Sequence, residues 1–293
     1  MTVFFFLSAF GVLTSCTPQE TDLRTQVVTS FYPLTYFTQQ IAGDSVKITQ
    51  ITPDGIEPHD YFVTADDLKI IEAADLTIAQ GGSFETWSEQ LYRGQLVEES
   101  GRILVFSREL EFTLNEENLL DPHVWLDPVL AQNLISILAE KLSEMDPAHA
   151  LEFQTQAEIL KNDLAALHEE ITIGLATCSN RKIIVTHDAF SYFSRRYGLE
   201  VLPILNAAHF DEPSLEELKE LADYAKENGL TAIFMETLEN PEVANVLAEE
   251  AGLTSLVLNP IEGLTEAEQI NNETYFSIMR SNLANLKTGL QCP

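Results

Sequence analysis

The feature that most restricts the fold of this chain is an alternation of short β-rich runs with helical patterns, which recurs in both halves of its 293 residues. Between the runs, apolar residues recur three and four positions apart, as on one face of a helix. Strands that alternate with helices favour a parallel sheet covered on both faces. The predicted strands are Val27–Tyr32, Val46–Ile51, Leu76–Ala79 and Ile103–Phe106 in the first half, and Ile183–Thr186, Val201–Leu205, Ala232–Met235 and Ser255–Leu258 in the second.

One long helical pattern separates the two halves. After Asp146-Pro147, a single apolar stripe runs along Leu160, Leu164, Leu167, Ile171 and Leu175. A helix from about residue 148 to 177 would be roughly 45 Å long, which suits a connection between two domains. The sequence therefore predicts an α/β protein with two similar lobes, each with a parallel sheet flanked by helices, joined by one long rigid helix.

The N-terminus has the pattern of an export signal. The apolar run Val3–Leu13 has the length of a signal-peptide core and is too short to span a bilayer. Small residues before Cys16 resemble the lipobox of bacterial lipoproteins, which implies cleavage before Cys16 and lipid attachment to its sulfur; a buried N-terminal strand is the alternative. The predicted segments are a signal peptide at 1–15, a lipid-anchor linker at 16–25, an N-terminal lobe at 26–146, a connecting helix at 147–178 and a C-terminal lobe at 179–293.

The charge of the chain excludes several classes of partner. The chain has 46 acidic and 16 basic residues, for a net charge of −30. Such a surface repels nucleic-acid backbones and anionic lipid headgroups. We therefore expect no nucleic-acid partner and contact with the membrane only through the lipid anchor, on the extracytoplasmic face or in the periplasm. An acidic surface also suits the attraction of small cations.

Two further cysteines remain if Cys16 carries lipid. Cys178 follows the long helical pattern and Cys292 lies at the end of the chain. An exported protein with two cysteines favours one disulfide, which would fix the last helix to the second half. Two free buried thiols are the alternative.

Three histidines lie in predicted loops where an α/β fold binds ligands. His59, His123 and His187 lie after strands or before a helix, and ligands of open α/β sheets gather beyond the carboxyl ends of the strands. Asp60 and Asp188 follow two of them directly and could orient the imidazoles. The three histidines are spaced 64 residues apart, which is no local metal-binding motif. Their chemistry fits either a three-histidine metal site or three unrelated loop histidines.

Four motifs, in order, carry a resemblance to a known family. EPHDY, DPHVWLDP, VTHDAFSYFSRRYGL and LNPIEGLT resemble the metal-binding lipoproteins of ABC importers for zinc and manganese, the cluster A-I solute-binding proteins. The resemblance implies two lobes joined by a rigid helix, capture of a divalent metal between them, and delivery to a membrane ABC permease with a cytoplasmic ATPase. It also implies four metal ligands: His59, His123, His187 and Glu262.

The composition of this ligand set predicts the metal. Manganese-preferring relatives usually have acidic residues at the third and fourth positions, whereas this chain has His187 at the third. Imidazole suits zinc and manganese prefers more oxygen donors, so we expect zinc, with manganese or iron as the alternative. Glu236, at a strand end, could orient an imidazole, and His209 could provide an accessory metal contact.

The same ligand set argues against an enzyme. A catalytic zinc keeps an open position for water, and four protein ligands leave none. A zinc hydrolase would need Glu262 or Glu236 as a general base instead. We expect a monomeric binding protein, and an adhesin or structural surface lipoprotein remains a further alternative that is compatible with metal binding.

Overall fold

Two parallel sheets of four strands each form the frame of the molecule. The computed structural model describes residues 23–82, 84–93, 102–110, 112–113, 120–204 and 214–293. The predicted signal peptide, the lipid-attachment residue Cys16 and the accessory candidate His209 lie outside the described residues. Among the described helices, none is both long enough and apolar enough to cross a bilayer.

The two sheets have the same topology. In the first sheet the order is β2-β1-β3-β4, and in the second it is β6-β5-β7-β8, with every neighbouring pair parallel. The strands are β1 (Thr25–Thr29), β2 (Val46–Gln50), β3 (Leu76–Ala79), β4 (Ile103–Val105), β5 (Lys182–Val185), β6 (Glu200–Pro203), β7 (Ala232–Met235) and β8 (Thr254–Val257). The α/β prediction of two lobes with parallel sheets is confirmed.

Helices connect and cover the strands. The helices of the described residues are α1 (Tyr32–Ala42), α2 (Ala65–Ala73), α3 (Thr86–Arg93), α4 (Phe106–Glu109), α5 (Pro128–Met145), α6 (Ala150–Leu175), α7 (Ser191–Tyr197), α8 (Leu215–Glu227), α9 (Glu242–Ala251), α10 (Glu266–Ile270) and α11 (Tyr275–Gly289). Side chains of Thr64, Ser214, Thr265 and Thr274 form capping boxes that begin four of these helices.

Several predicted strands run past their observed carboxyl ends, by three residues in the first strand and by one residue in most of the others. The first strand was expected to continue to Tyr32, but it ends at Thr29 because α1 begins at Tyr32 and places Pro33 in its first turn. A proline in the first turn has the φ angle that a helix start requires. The backbone N–H that proline lacks would have no acceptor within the helix at this position. Phe106, expected at the end of a strand, instead begins the short helix α4.

The long helix α6 packs against elements of both lobes. It contacts α1 and α5 from the first half and α7 and α11 from the second. Its buried stripe consists of Phe153, Ala157, Leu160, Leu164, Leu167, Ile171 and Leu175. A disulfide between Cys178, just after α6, and Cys292, just after α11, joins two segments 114 residues apart. The helix is thus part of one apolar core that includes residues of both sheets.

Helix α11 approaches β7 so closely that its last residue has no room for a side chain. A Cβ added to Gly289 would lie 2.6 Å from the buried ring of Phe234 and 3.0 Å from the Cβ of Ala232. We expect Gly289→Ala to lower the free energy of unfolding by about 1–3 kcal/mol, because overpacking a tight core forces its side chains apart. Urea denaturation measures this change. The exposed Ser281→Ala on the same helix is the control, and equal stability of the two variants would contradict the close packing.

Candidate metal centre

Three imidazoles and one carboxylate converge between the two sheets. The Nε2 atoms of His59 and His123 lie 3.4 Å apart. Glu262 Oε1 lies 3.2 Å from His123 Nε2 and 3.7 Å from His59 Nε2. Nitrogen atoms of His59, His123 and His187 all lie within 4.8 Å of one another. The structure therefore brings together the four residues that the resemblance implied as ligands.

The spacing of these atoms fits a tetrahedral metal ion. Ligand atoms about 2.0–2.1 Å from a tetrahedral zinc ion are roughly 3.3 Å from each other. The three distances among His59, His123 and Glu262 lie between 3.2 and 3.7 Å. Two imidazole nitrogens that face each other at this distance need a proton or a metal ion between them. Three nitrogens and one oxygen are the donor set of a closed four-coordinate site.

A shared local motif holds His59 and His123. Each histidine follows an acidic residue and a proline, as Glu57-Pro58-His59 and Asp121-Pro122-His123. The backbone N–H of His59 donates to Glu57 Oε1 at 3.2 Å, and that of His123 donates to Asp121 Oδ1 at 3.1 Å. The sequence analysis did not assign a role to either carboxylate. The repeated order of an acidic residue, proline and histidine would have indicated this role.

The Asp121 carboxylate also fixes the ring of His123. His123 Nδ1 donates to Asp121 Oδ1 at 2.8 Å, which leaves Nε2 to face the centre of the site. Such an outer carboxylate sets the tautomer of a ligand histidine and raises its basicity. The ring of Phe84 packs edge-on against His59 with 4.6 Å between ring centroids and limits how far that imidazole can rotate.

His187 follows β5, and its partner is Glu236 rather than its neighbour Asp188. His187 Nδ1 donates to Glu236 Oε1 at 3.1 Å, as expected for a carboxylate that orients the imidazole. Glu236 comes directly after β7, the strand beside β5 in the sheet. Asp188 was expected to orient His187, but its Oδ1 accepts a hydrogen bond from Ser191 Oγ at 2.9 Å, at the start of α7. Asp60, the other neighbour carboxylate, is exposed and lines a cavity near the site.

Glu262 is held by a strained turn after β8. The preceding residue, Ile261, has a φ of 62°, a left-handed conformation that is unfavourable for a β-branched side chain. Asn259 Oδ1 accepts the N–H of Ile261 at 2.6 Å, and Asn282 bonds to both the N–H and the carbonyl of Asn259. Strain of this kind persists only where the surroundings enforce it, and it is common at binding sites.

The charges of the site are balanced by one buried pair. Burial lowers the pKa of His123, but the hydrogen bond to Asp121 and the nearby Glu262 carboxylate outweigh burial and raise it to about 10. Burial raises the pKa of Glu262, but the nearby imidazoles of His123 and His59 outweigh burial and hold this pKa well below its usual value. Burial lowers the pKa values of His59 and His187. At neutral pH the metal-free site thus holds a protonated His123 beside an ionised Glu262.

Contacts between the lobes hold the His123 loop in place. Trp125 Nε1 donates to the carbonyl of Pro260 at 2.8 Å, two residues before Glu262, and Tyr275 Oη donates to the carbonyl of Trp125 at 2.6 Å. Arg196 of α7 pairs with the buried carboxylate of Asp127 at 2.8 Å. The second lobe therefore fixes a ligand of the first.

The sequence model of a known family matches almost the whole described chain. This family is described as "Zinc-uptake complex component A periplasmic", and the match covers residues 27–289. The chain belongs to this family. The predicted membership among metal-binding solute-binding proteins is confirmed, and the relatives below are named as binding or transport proteins, not as enzymes.

Curated relatives and solved structures resemble the chain over most of its length. It is 32% identical to the zinc-binding lipoprotein AdcA of Streptococcus pneumoniae serotype 4 over 289 residues, which is 94% of the chain but only 58% of that protein. The solved zinc-bound ZnuA-like domain of AdcA has a TM-score of 0.81 at 32% identity, with 91% of the chain and 99% of the domain covered. The high-affinity zinc uptake system protein ZnuA of Bacillus subtilis is 32% identical, with 91% of the chain and 88% of that protein covered.

A third relative has a second activity in its description. The laminin-binding protein Lmb of Streptococcus agalactiae, described as bifunctional with adhesin and metal transporting activity, has a TM-score of 0.82 at 31% identity. The match covers 91% of the chain and 99% of Lmb. The two-lobed fold is thus shared with several metal-binding proteins.

The raised pKa of His123 predicts that a metal ion displaces a proton. Because this pKa is about 10 in the metal-free protein, His123 is protonated at pH 7.5, whereas burial keeps His59 and His187 neutral. We expect release of about one proton per bound ion, and affinity that rises about tenfold per pH unit between pH 7 and 9. Calorimetry in buffers of different ionisation enthalpy measures the released protons.

Asp121→Asn tests the cause of this proton release. The variant removes an acceptor 2.8 Å from His123 Nδ1, so the pKa of His123 falls and fewer protons are released. Asp146→Asn is the matched control, because Asp146 accepts a similar bond from His149 on the surface at 2.7 Å. The account is wrong if the Asp121 variant and the wild type release the same number of protons.

Proposed function

We propose that this protein captures zinc outside the cytoplasm at His59, His123, His187 and Glu262 and delivers it to a membrane ABC permease with a cytoplasmic ATPase. The observation that carries the proposal is the set of 3.2–3.7 Å distances among the atoms of His59, His123 and Glu262, the separations of ligands around one tetrahedral ion. Membership in a zinc-uptake family supports the transport role.

The donor chemistry favours zinc over manganese. Three imidazoles and one carboxylate suit zinc, whereas manganese prefers more oxygen donors in an octahedral arrangement. The zinc-bound state of the AdcA domain, which shares this fold, supports the same assignment. Manganese or iron would be the alternative cargo if the nearby carboxylates Glu57 and Glu236 joined the ligand set.

A binding role fits the site better than hydrolysis. Four protein ligands leave a zinc ion no open position at which to activate water. Glu236, the alternative general base, is committed to His187 Nδ1 through one oxygen, 3.1 Å away. A closed site holds its ion tightly, so the permease must provoke release.

We propose lipid attachment at Cys16 after removal of residues 1–15, which would hold a monomer at the extracytoplasmic face. The lipoprotein name of the pneumococcal relative supports this arrangement. Metabolic labelling with a fatty-acid analogue tests it, since Cys16→Ala would abolish labelling if the proposal is right and leave it unchanged if it is wrong.

Thermal unfolding of the chelator-treated full chain tests the metal assignment. A ligand that binds only the folded state at 100 times its Kd adds about 2.7 kcal/mol. For a chain of this size that corresponds to a rise in Tm of roughly 5–10 °C. We expect this rise with zinc, a smaller one with manganese, and none with zinc in His123→Ala.

His149→Ala is the control for this experiment. His149 also pairs with an aspartate, but it is exposed and lies away from the site, so this variant retains the full zinc shift. A rise with manganese alone would overturn the choice of zinc. The absence of any shift in the wild type would overturn the transport proposal.

Adhesion is a second candidate function. It is favoured by the likeness to Lmb, whose description includes adhesin activity. Immobilised laminin tests it directly. Saturable binding of the full chain would support adhesion, and binding no stronger than to immobilised albumin would exclude it for laminin.

A further inference from the structure

A second group of donor atoms lies beside the four-residue site. Donor atoms of His187, Glu236 and Glu239 all lie within 4.8 Å of one another. Glu239 also lines a cavity of about 300 Å³, together with Thr186 and the exposed Asp60. Glu239 thus joins the three donors to the cavity, and His187 joins them to the four-residue site.

Glu236 carries an oxygen that protein contacts leave unused. Its Oε1 accepts from His187 Nδ1, but its Oε2 is buried and has no hydrogen-bond partner within the described part of the chain. The Glu236 residue is only 7% exposed. Because buried polar atoms are almost always partnered, such an oxygen points to a ligand that the protein chain itself does not supply.

We propose that His187, Glu236 and Glu239 form a receiving subsite that holds an incoming zinc ion before it moves to the four-residue site. This inference rests on the proposed function, and it adds a route by which the ion enters and leaves. One nitrogen and two carboxylate groups are suitable zinc donors, and cavity water completes the coordination.

The chemistry of imidazole makes the two positions exclusive. A neutral histidine has one lone pair, on either Nδ1 or Nε2, so His187 can ligate a metal through only one nitrogen at a time. In the four-residue site Nδ1 carries the proton and donates to Glu236. In the receiving subsite His187 would ligate the ion through Nδ1, which lies 3.1 Å from Glu236 Oε1. The chain therefore holds one zinc ion in two successive positions.

The surrounding charge favours entry by this route. The described residues of the cavity lining include the acidic side chains of Glu57, Asp60 and Glu239 and no basic side chain. Because burial raises the pKa of Glu57 to about 11, the negative charge of the lining comes from Asp60 and Glu239. Clefts lined by one sign of charge raise the association rate of an opposite ion by about 10- to 1,000-fold. An incoming cation thus meets Glu239 before it reaches the buried Glu262.

Stopped-flow mixing of zinc with the full chain tests the route. Trp125 reports arrival, because its ring lies 5.3 Å from that of His123. We expect Glu239→Gln to slow both association and dissociation of zinc by at least about tenfold, since both pass through the subsite. Glu242→Gln, which removes an exposed carboxylate at the start of α9, should leave both rates unchanged.

Equilibrium dialysis against zinc tests the subsite itself. The double variant His59→Ala with His123→Ala should retain one weaker zinc equivalent, which disappears when Glu239→Gln is added. Equal zinc rates in the wild type and Glu239→Gln would overturn the subsite, whether or not the double variant folds. A folded double variant that binds no zinc, or binds zinc independently of Glu239, would also overturn it.

These results separate the subsite from the function on which it rests. Tight zinc binding by the wild type with no effect of Glu239→Gln would remove the subsite and leave the proposed function. Failure of the wild type to bind zinc would remove the function itself.

Discussion

The arrangement of the metal centre depends on one buried carboxylate, that of Glu262. Glu262 is 1% exposed, and an ionised group at such depth is tolerated only beside a compensating positive charge. In the metal-free protein that charge is carried by protonated His123, whose Nε2 lies 3.2 Å from Glu262 Oε1. A divalent ion replaces the proton and satisfies the imidazoles at the same time. The strained turn at Ile261 holds this carboxylate, and the Asp121 bond to His123 holds its partner, so that the two lie at ligand distance.

Residues of both lobes hold the metal ligands in place. His123 belongs to the first lobe, yet its loop is fixed by Arg196 and Tyr275 of the second, and Trp125 bonds to the backbone just before Glu262. Helix α6 packs on both lobes, and the core is continuous across them. Ligand atoms preset at 3.2–3.7 Å reduce the ordering cost of binding an ion. A rigid frame of this kind suits high affinity and requires a separate way for the ion to enter and leave.

Local patterns in the sequence predicted the strands and helices of the two lobes, but not the convergence of the metal ligands. The strands Leu76–Ala79 and Ala232–Met235 were predicted with their observed bounds because buried central strands are mostly apolar. The first strand was extended too far because Pro33 was not recognised as a helix start. Histidines 64 residues apart cannot be placed together by spacing, so the ligand set came from the resemblance. The roles of Asp121 and Glu236 depend on side-chain directions that only the folded structure defines.

X-ray absorption spectroscopy of the zinc-loaded chain tests the central claim most directly. We expect a first shell of four nitrogen or oxygen atoms at about 2.0–2.1 Å, with outer-shell scattering from three imidazole rings. Glu262→Gln should alter the oxygen contribution and keep the three rings. A shell of six oxygen-rich ligands, or scattering from only one imidazole, would contradict a zinc site built from His59, His123, His187 and Glu262.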